Sequence, residues 1–294
     1  MFTFAGKLHI NNFSCIMANV IKIKKGLDIN LKGKASDVLL NGGKSESYAI
    51  VPDYYNGILP KVVAKVGEKV KAGSVLMIDK NRPEIKFVSP VSGEVTAVNR
   101  GEKRKVLSIV VKPDAQIEYE EFGKKNVASL QGAEVKEVLL NAGMWPFIKQ
   151  RPYDIVAAPL DTPRDIFVSA FYSAPLAPNF DFIVKGQEAD FQTGLNALAK
   201  LTNGKVYVGV RSGSVVSGMK GVEIVEVEGP HPAANVGVQI NHIKPVNKGE
   251  VVWTVNPADV IVIGRLFNKG VADFSRMVAT VSYTHLTLPT ICSV

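Results

Sequence analysis

Hydrophobic positions follow two regimes along the chain. Between residues 20 and 112 they come as short Val/Ile runs broken at close intervals by Gly, Pro and Asn, which predicts short strands joined by tight turns. Residues 59–76 (LPKVVAKVGEKVKAGSVL) and 87–98 (FVSPVSGEVTAV) repeat the theme of strand, Gly-containing turn and strand, and their alternation gives each strand one buried face. From about Leu130 the period changes. Residues 134–143 space Val135, Val138 and Leu139 at helical intervals and end in Gly, a helix stop. Trp145 and Phe147 then stand in a bulky loop, Met144-Trp145-Pro146-Phe147. Apolar strands are predicted at 154–158, 165–171, 205–210, 222–227 and 251–255, with helices at 187–201 and from about 257 to 267.

Strands apolar on both faces and alternating with helices imply a mostly parallel, doubly covered sheet, so the expected fold class is a small β domain followed by a Rossmann-like α/β domain. Charge divides at the same place. The 294 residues hold 35 Lys and Arg against 27 Asp and Glu, but residues 17–112 alone hold 18 against 9. The basic character belongs to the β-rich module. No window approaches the roughly 18 to 20 apolar residues of a membrane-crossing helix, and residues 1–16 show no signal-peptide core. The two cysteines, Cys15 and Cys292, lie in the end segments, leaving no thiol between them for a disulfide, an Fe–S cluster or a Cys-ligated zinc.

An α/β sheet raises the question of a nucleotide, yet the G-x-G-x-x-G turn is absent. Its nearest substitutes are the Ser/Gly loop 211–218 and Gly229-Pro230-His231-Pro232-Ala233, where two prolines remove two backbone donors. His231 closes a strand at the end where such sheets bind ligands, so its imidazole is a candidate quinone or partner contact; fixing a rigid turn is the alternative. Trp145 and Phe147 are candidates to face a flat apolar ligand, or else seal a domain junction. His242 has no metal-ligand neighbours in sequence, and no catalytic or metal motif is found. Lys22, Lys24, Lys25, Lys32 and Lys34 form a basic edge without aromatic stacking positions, which points to a protein partner or an anionic surface rather than nucleic acid.

Two resemblances follow from these residues. Val66, Gly67, Glu68, Val70, Gly73 and Leu76, then Ser89, Pro90, Gly93 and Val95, fill the pattern of biotinyl and lipoyl carrier domains, which implies a barrel-sandwich hybrid. In such carriers a hairpin lysine is acylated; here Lys80 stands nearest, though in Asp79-Lys80-Asn81-Arg82-Pro83, so a solvated turn lysine is the simpler reading. Over about residues 19–280 the chain resembles the A subunits of bacterial Na⁺-translocating NADH:quinone oxidoreductases. The stretches that carry this are Ile21-Lys22-Ile23-Lys24-Lys25-Gly26-Leu27-Asp28, Phe87-Val88-Ser89-Pro90-Val91-Ser92-Gly93, Leu201-Thr202-Asn203-Gly204-Lys205-Val206-Tyr207 and Glu228-Gly229-Pro230-His231-Pro232. It is similar, more distantly, to the C subunits of Rnf electron-transport complexes, whose Fe–S cysteines it lacks.

The resemblance implies a peripheral subunit on the cytoplasmic face of the bacterial inner membrane, joined to the membrane through its complex. It would sit near the end that reduces ubiquinone or menaquinone with electrons from NADH. No cofactor is expected on this subunit, with FAD, FMN, riboflavin and iron centres on partner subunits and quinone as substrate. A cofactor-free, carrier-like adaptor outside that complex is the alternative. The expected division is a non-native leader at 1–16, a barrel-sandwich-hybrid-like domain at 17–125, a Rossmann-like domain at 126–270, the start of a truncated ubiquitin-like ligand-binding domain at 271–280 and a non-native tail at 281–294.

Overall fold

A computed structural model describes residues 19–29, 37–40, 42 and 45–279. The leader at 1–16, the tail at 281–294, both cysteines, Lys32 and Lys34 lie outside the described residues. The first strand, β1 (Asn19–Lys22), is followed by seven short strands: β2 (Tyr48–Ile50), β3 (Pro60–Val62), β4 (Lys69–Val70), β5 (Val75–Asp79), β6 (Lys86–Val88), β7 (Gly93–Arg100) and β8 (Val106–Pro113). These seven make two antiparallel sheets, β2-β8-β7-β4 and β3-β5-β6. Leu76, Met77, Phe87, Val95, Ile109 and Val111 are buried between them. The Ser-Pro-Val-Ser-Gly turn has a physical reason at each polar position. Ser89 Oγ donates to the Val91 carbonyl at 2.6 Å, Ser92 Oγ accepts the Glu118 N–H at 2.9 Å, and a Cβ on Gly93 would lie 1.9 Å from the Lys112 carbonyl oxygen. Only glycine lets β8 run so close.

The second unit comprises α1 (Gly132–Asn141), β9 (Ile148–Arg151), β10 (Ile155–Val156), β11 (Ile166–Ser169), α2 (Phe180–Val184), α3 (Glu188–Ala199), β12 (Val206–Val210), β13 (Glu223–Glu228), α4 (Val236–Ile243), β14 (Val252–Val255) and α5 (Pro257–Lys269). Its seven-stranded sheet has the order β1-β13-β12-β11-β14-β9-β10. The five strands from β1 to β14 are parallel, whereas β9 runs antiparallel to both β14 and β10. Every residue of β11 and β14 is buried, as expected of central strands covered on both faces. Ile166 and Val168 join the core that includes α3 and α5, while Phe167 packs with Ile240 of α4 and Val252. Helices α3 and α5 touch backbone to backbone: a Cβ on Gly264 would fall 1.7 Å from the Asp190 carbonyl oxygen.

Two features depart from the pattern-based expectation. Strand β1, read from sequence with the β-rich module, is the parallel edge partner of β13, from Asn19↔Val225 to Lys22↔Glu228. The predicted strand at 154–158 shrinks to Ile155–Val156, because Tyr153 and Asp154 adopt left-handed backbone conformations that turn the chain. The two units also share one hydrophobic core running from Leu76 and Val95 through Trp145 to Val168 and Ile263. Among the described residues no helix is long and apolar enough to cross a membrane.

Candidate functional site

Chain order places a cleft in the larger sheet. From β11 the chain moves outward to β12 and β13, then returns through α4 to β14 on the opposite flank of β11. The strand order therefore reverses between β11 and β14, and the crevice beyond their C-terminal ends is where open α/β sheets bind ligands. A cleft of about 730 Å³ lies there. Ser169, Phe171 and Tyr172 enter it from the end of β11, and Thr254, Val255, Asn256 and Asp259 from β14 and the start of α5. Phe147, Lys149 and Arg151 come from the β9 side, Ala234 to Val238 from the start of α4, and Tyr54 and Tyr55 from the smaller unit.

Local sequence explains the positions. Asn256 caps α5, accepting the Ala258 N–H at 3.0 Å, with Pro257 at the first helical position. The Tyr172 hydroxyl donates to Asn256 Oδ1 at 3.4 Å. Ser169 is fully engaged: its Oγ donates to the Ala234 carbonyl at 2.8 Å and accepts Gln239 Nε2 at 2.9 Å. Asp259 sits in the first turn of α5 against Arg276 at 2.9 Å. Burial raises its carboxyl above the ordinary carboxylate range, with Arg276 and Lys149 opposing. Burial, reinforced by Asp259, likewise raises the phenols of Tyr55 and Tyr172, with Arg276 opposing in each case. Both phenols are therefore neutral hydrogen-bond donors at physiological pH. Arg276 also lies 5.8 Å from the centre of the Phe147 ring, and Phe274 meets that ring edge-on.

The sequence-derived candidates are distributed unevenly. Phe147 lines the cleft. Trp145 is outside the lining and fully buried, its Nε1 donating to the Ala157 carbonyl at 2.8 Å and its ring edge-on to Trp253 at 5.4 Å. His231 is outside the lining and is held from the N-terminal side: its N–H donates to Asp28 Oδ1 at 2.8 Å and its carbonyl accepts the Leu27 N–H at 2.9 Å. Ser173 Oγ, which accepts the Ala234 N–H, lies 3.1 Å from His231 Nδ1. The Ser173 hydroxyl thus links the Ala234 backbone to the imidazole and fixes the orientation of the ring. Lys80 is exposed on the smaller unit, away from the cleft, and the turn around it is tied down. Arg82 bonds the buried Asp79 at 2.9 Å and reaches the carbonyls of Gly57 and Val156.

Tyr54, Tyr55, Lys149, Arg151, Tyr172 and Asp259 carried no motif. For Asp259 alone a local signal exists in Asn256-Pro257-Ala258-Asp259 after an apolar strand, since a cap and an N1 proline at a strand end mark a helix N-terminus at a ligand position. A dinucleotide does not fit these residues. The turn from β14 into α5 has no glycine, and Asp259 puts a carboxyl where a pyrophosphate would approach the helix. Among the described residues no three His, Cys, Asp or Glu side chains gather as metal ligands.

Comparison with known proteins decides the family. Residues 21–114 match the NqrA N-terminal barrel-sandwich hybrid domain and residues 130–272 the NqrA second alpha/beta domain, in that order. The chain belongs to the NqrA family. Relatives from Hahella chejuensis and Photorhabdus laumondii, each named as the A subunit of the Na(+)-translocating NADH-quinone reductase, are 39% and 37% identical to it over 265 and 264 residues. The counterpart from Neisseria meningitidis serogroup A is 37% identical over 264 residues. Each alignment takes in 88% of this chain and 59% of the relative, so the chain spans about three-fifths of the length of these NqrA relatives.

Proposed function

We propose that this NqrA-family chain serves as a peripheral subunit of a Na⁺-translocating NADH:quinone oxidoreductase, on the cytoplasmic face of the membrane and beside the quinone-reducing end. The observation that carries the reading is the ordered match of both domains to one family whose relatives bear that name. The flavins and iron centres of electron transfer would sit on partner subunits, and quinone would be the substrate of the assembly.

Within the chain, the cleft between β11 and β14 is the place for a quinone ring. Phe147, Phe171 and Tyr172 offer aromatic faces, and the neutral phenol of Tyr55 can donate to a quinone carbonyl oxygen, the Tyr172 hydroxyl being engaged with Asn256. His231, outside the cleft lining and oriented by Ser173, would act as a contact to a partner subunit or to the approaching ligand. Trp145, buried against Trp253, would anchor the turn that carries Phe147. The cofactor-free adaptor outside such a complex is not favoured, because both domains match one family, in order, and its relatives are named as a subunit of the reductase.

Photo-crosslinking of the intact complex with an azido-quinone, followed by peptide mapping, tests this reading. Adducts are expected on peptides holding Phe147 and Tyr172, and Tyr55→Phe should lower their yield severalfold while leaving complex assembly intact. Labelling confined to other subunits would remove the cleft from the quinone path.

A further inference from the structure

The smaller unit carries a second concavity, about 460 Å³, that the quinone reading does not use. Its floor is apolar, with Val62, Ile78 and Val106, and three cations stand at its rim: Lys61, Lys80 and Arg100. All three are exposed, and none is in an ion pair among the described residues, although Lys22, Lys69, Lys71 and Lys105 of the same region are. One wall of this groove is β3, which is the end strand of its sheet.

The register of β3 shows what that edge offers. Lys80 N–H donates to the Leu59 carbonyl, Val63 N–H donates to the Leu76 carbonyl, and Lys61 pairs with Ile78. Odd-numbered residues therefore turn their backbone groups toward β5. By the alternation of an antiparallel ladder, the Val62 N–H and C=O and the Pro60 C=O turn outward, away from β5. Leu59 and Val63, on either side of Lys61, are exposed apolar side chains.

From this edge we infer that the groove receives an extended, acidic segment of a partner polypeptide, added as a strand beside β3, with its carboxylates on Lys61, Lys80 and Arg100. Strand addition draws affinity from main-chain bonds and specificity from alternate side chains. The unpaired backbone groups supply the first and the cation-rimmed apolar floor the second. Pro60 and Lys61 are the residue types that discourage indiscriminate pairing at a sheet edge, and the same lysine selects a strand bearing negative charge. An anionic lipid headgroup would use the cations but not the backbone of β3.

The test uses the full chain and a fluorescein-labelled octapeptide of alternating Glu and Val, with a Lys/Val peptide and phosphatidylglycerol vesicles alongside. Salt-sensitive binding of the Glu/Val peptide is expected, with at least a tenfold slowing of amide exchange at Val62 on saturation. K61E/K80E/R100E should weaken that peptide at least tenfold and gain the Lys/Val peptide. K80E alone, at an exposed bend, should weaken it severalfold with an unchanged unfolding midpoint, so a folding failure of the triple variant leaves the test intact. Absence of peptide binding, equal binding by wild type and variants, or binding without protection at Val62 overturns the inference. Vesicle binding through the same three cations without peptide binding does so too.

Discussion

At the scale of single residues, the charges that hold this chain are those with several partners inside it. Asp165 is almost wholly buried, accepting from Lys244 Nζ at 2.8 Å, Arg164 Nε at 2.7 Å and the Lys205 N–H at 3.1 Å, and Arg164 goes on to Glu250. Burial by itself would raise the Asp165 carboxyl, but the hydrogen bonds from Lys244, Lys205 and Arg164 outweigh it and hold the group below the usual range. Because the folded value lies below the unfolded one, this stabilisation is present above the unfolded pKa of about 3.9 and is lost as pH falls through the folded value. Asp165→Asn should therefore cost about 3 kcal/mol near neutrality, the usual scale for breaking a buried pair, with the gap to wild type closing in acid. Urea unfolding at a series of pH values measures both. None of this was legible beforehand, since the partners lie up to 86 positions apart in sequence. His231 shows the same limit: its place at a strand end was readable, but the Leu27 and Asp28 contacts that hold it come from the other end of the chain.

Elements were legible where their cues are local. The periodicity of α1, α3 and α5 and the Asn256 cap of α5 are local, and strands β11, β12 and β14 declare themselves as apolar runs while β13 sets Ile and Val among glutamates. Helix α4 was missed, because Pro230, Pro232 and Gly237 crowd its start and Asn241 and His242 dilute its apolar face. The sheet to which β1 belongs is not legible locally, because its partner β13 lies some two hundred residues later. Helix α5 carries the clearest consequences at this scale. Asn256→Ala removes its side-chain cap and should cost about 1 kcal/mol, read from a chemical denaturation midpoint. Gly264→Ala is harsher. The new methyl would drive α5 from α3 at the Asp190 carbonyl, so a loss of about 3 kcal/mol is expected from overpacking, with amide exchange quickening first in α3. A Gly264→Ala variant as stable as wild type would mean the two helices can separate without cost.

Over the whole molecule, a carrier-like sandwich has become a fixed buttress of an α/β sheet. The sequence showed two modules and the point where the charge changes, because those follow composition; it did not show that they share a core, because that depends on contacts such as the Val156 N–H with the Asn56 carbonyl and Arg82 with the Val156 carbonyl. The smaller unit supplies Tyr54 and Tyr55 to the cleft, so the site exists only while the units stay joined. Their coupling is testable through Arg82. Its guanidinium neutralises Asp79, whose carboxylate is fully buried and otherwise held by the N–H groups of Leu59 and Asn81, and it bonds the Gly57 and Val156 carbonyls. Arg82→Ala leaves a buried carboxylate without its cation, a loss of about 3 kcal/mol. If the core is continuous, that loss belongs to both units. Tryptophan emission from Trp145 and Trp253 in the larger unit and amide exchange at Val95 and Ile109 in the smaller should report one shared midpoint, displaced equally by the substitution. Two separated midpoints would mean that the sandwich unfolds alone, and the cleft would then open by undocking its Tyr54–Tyr55 wall.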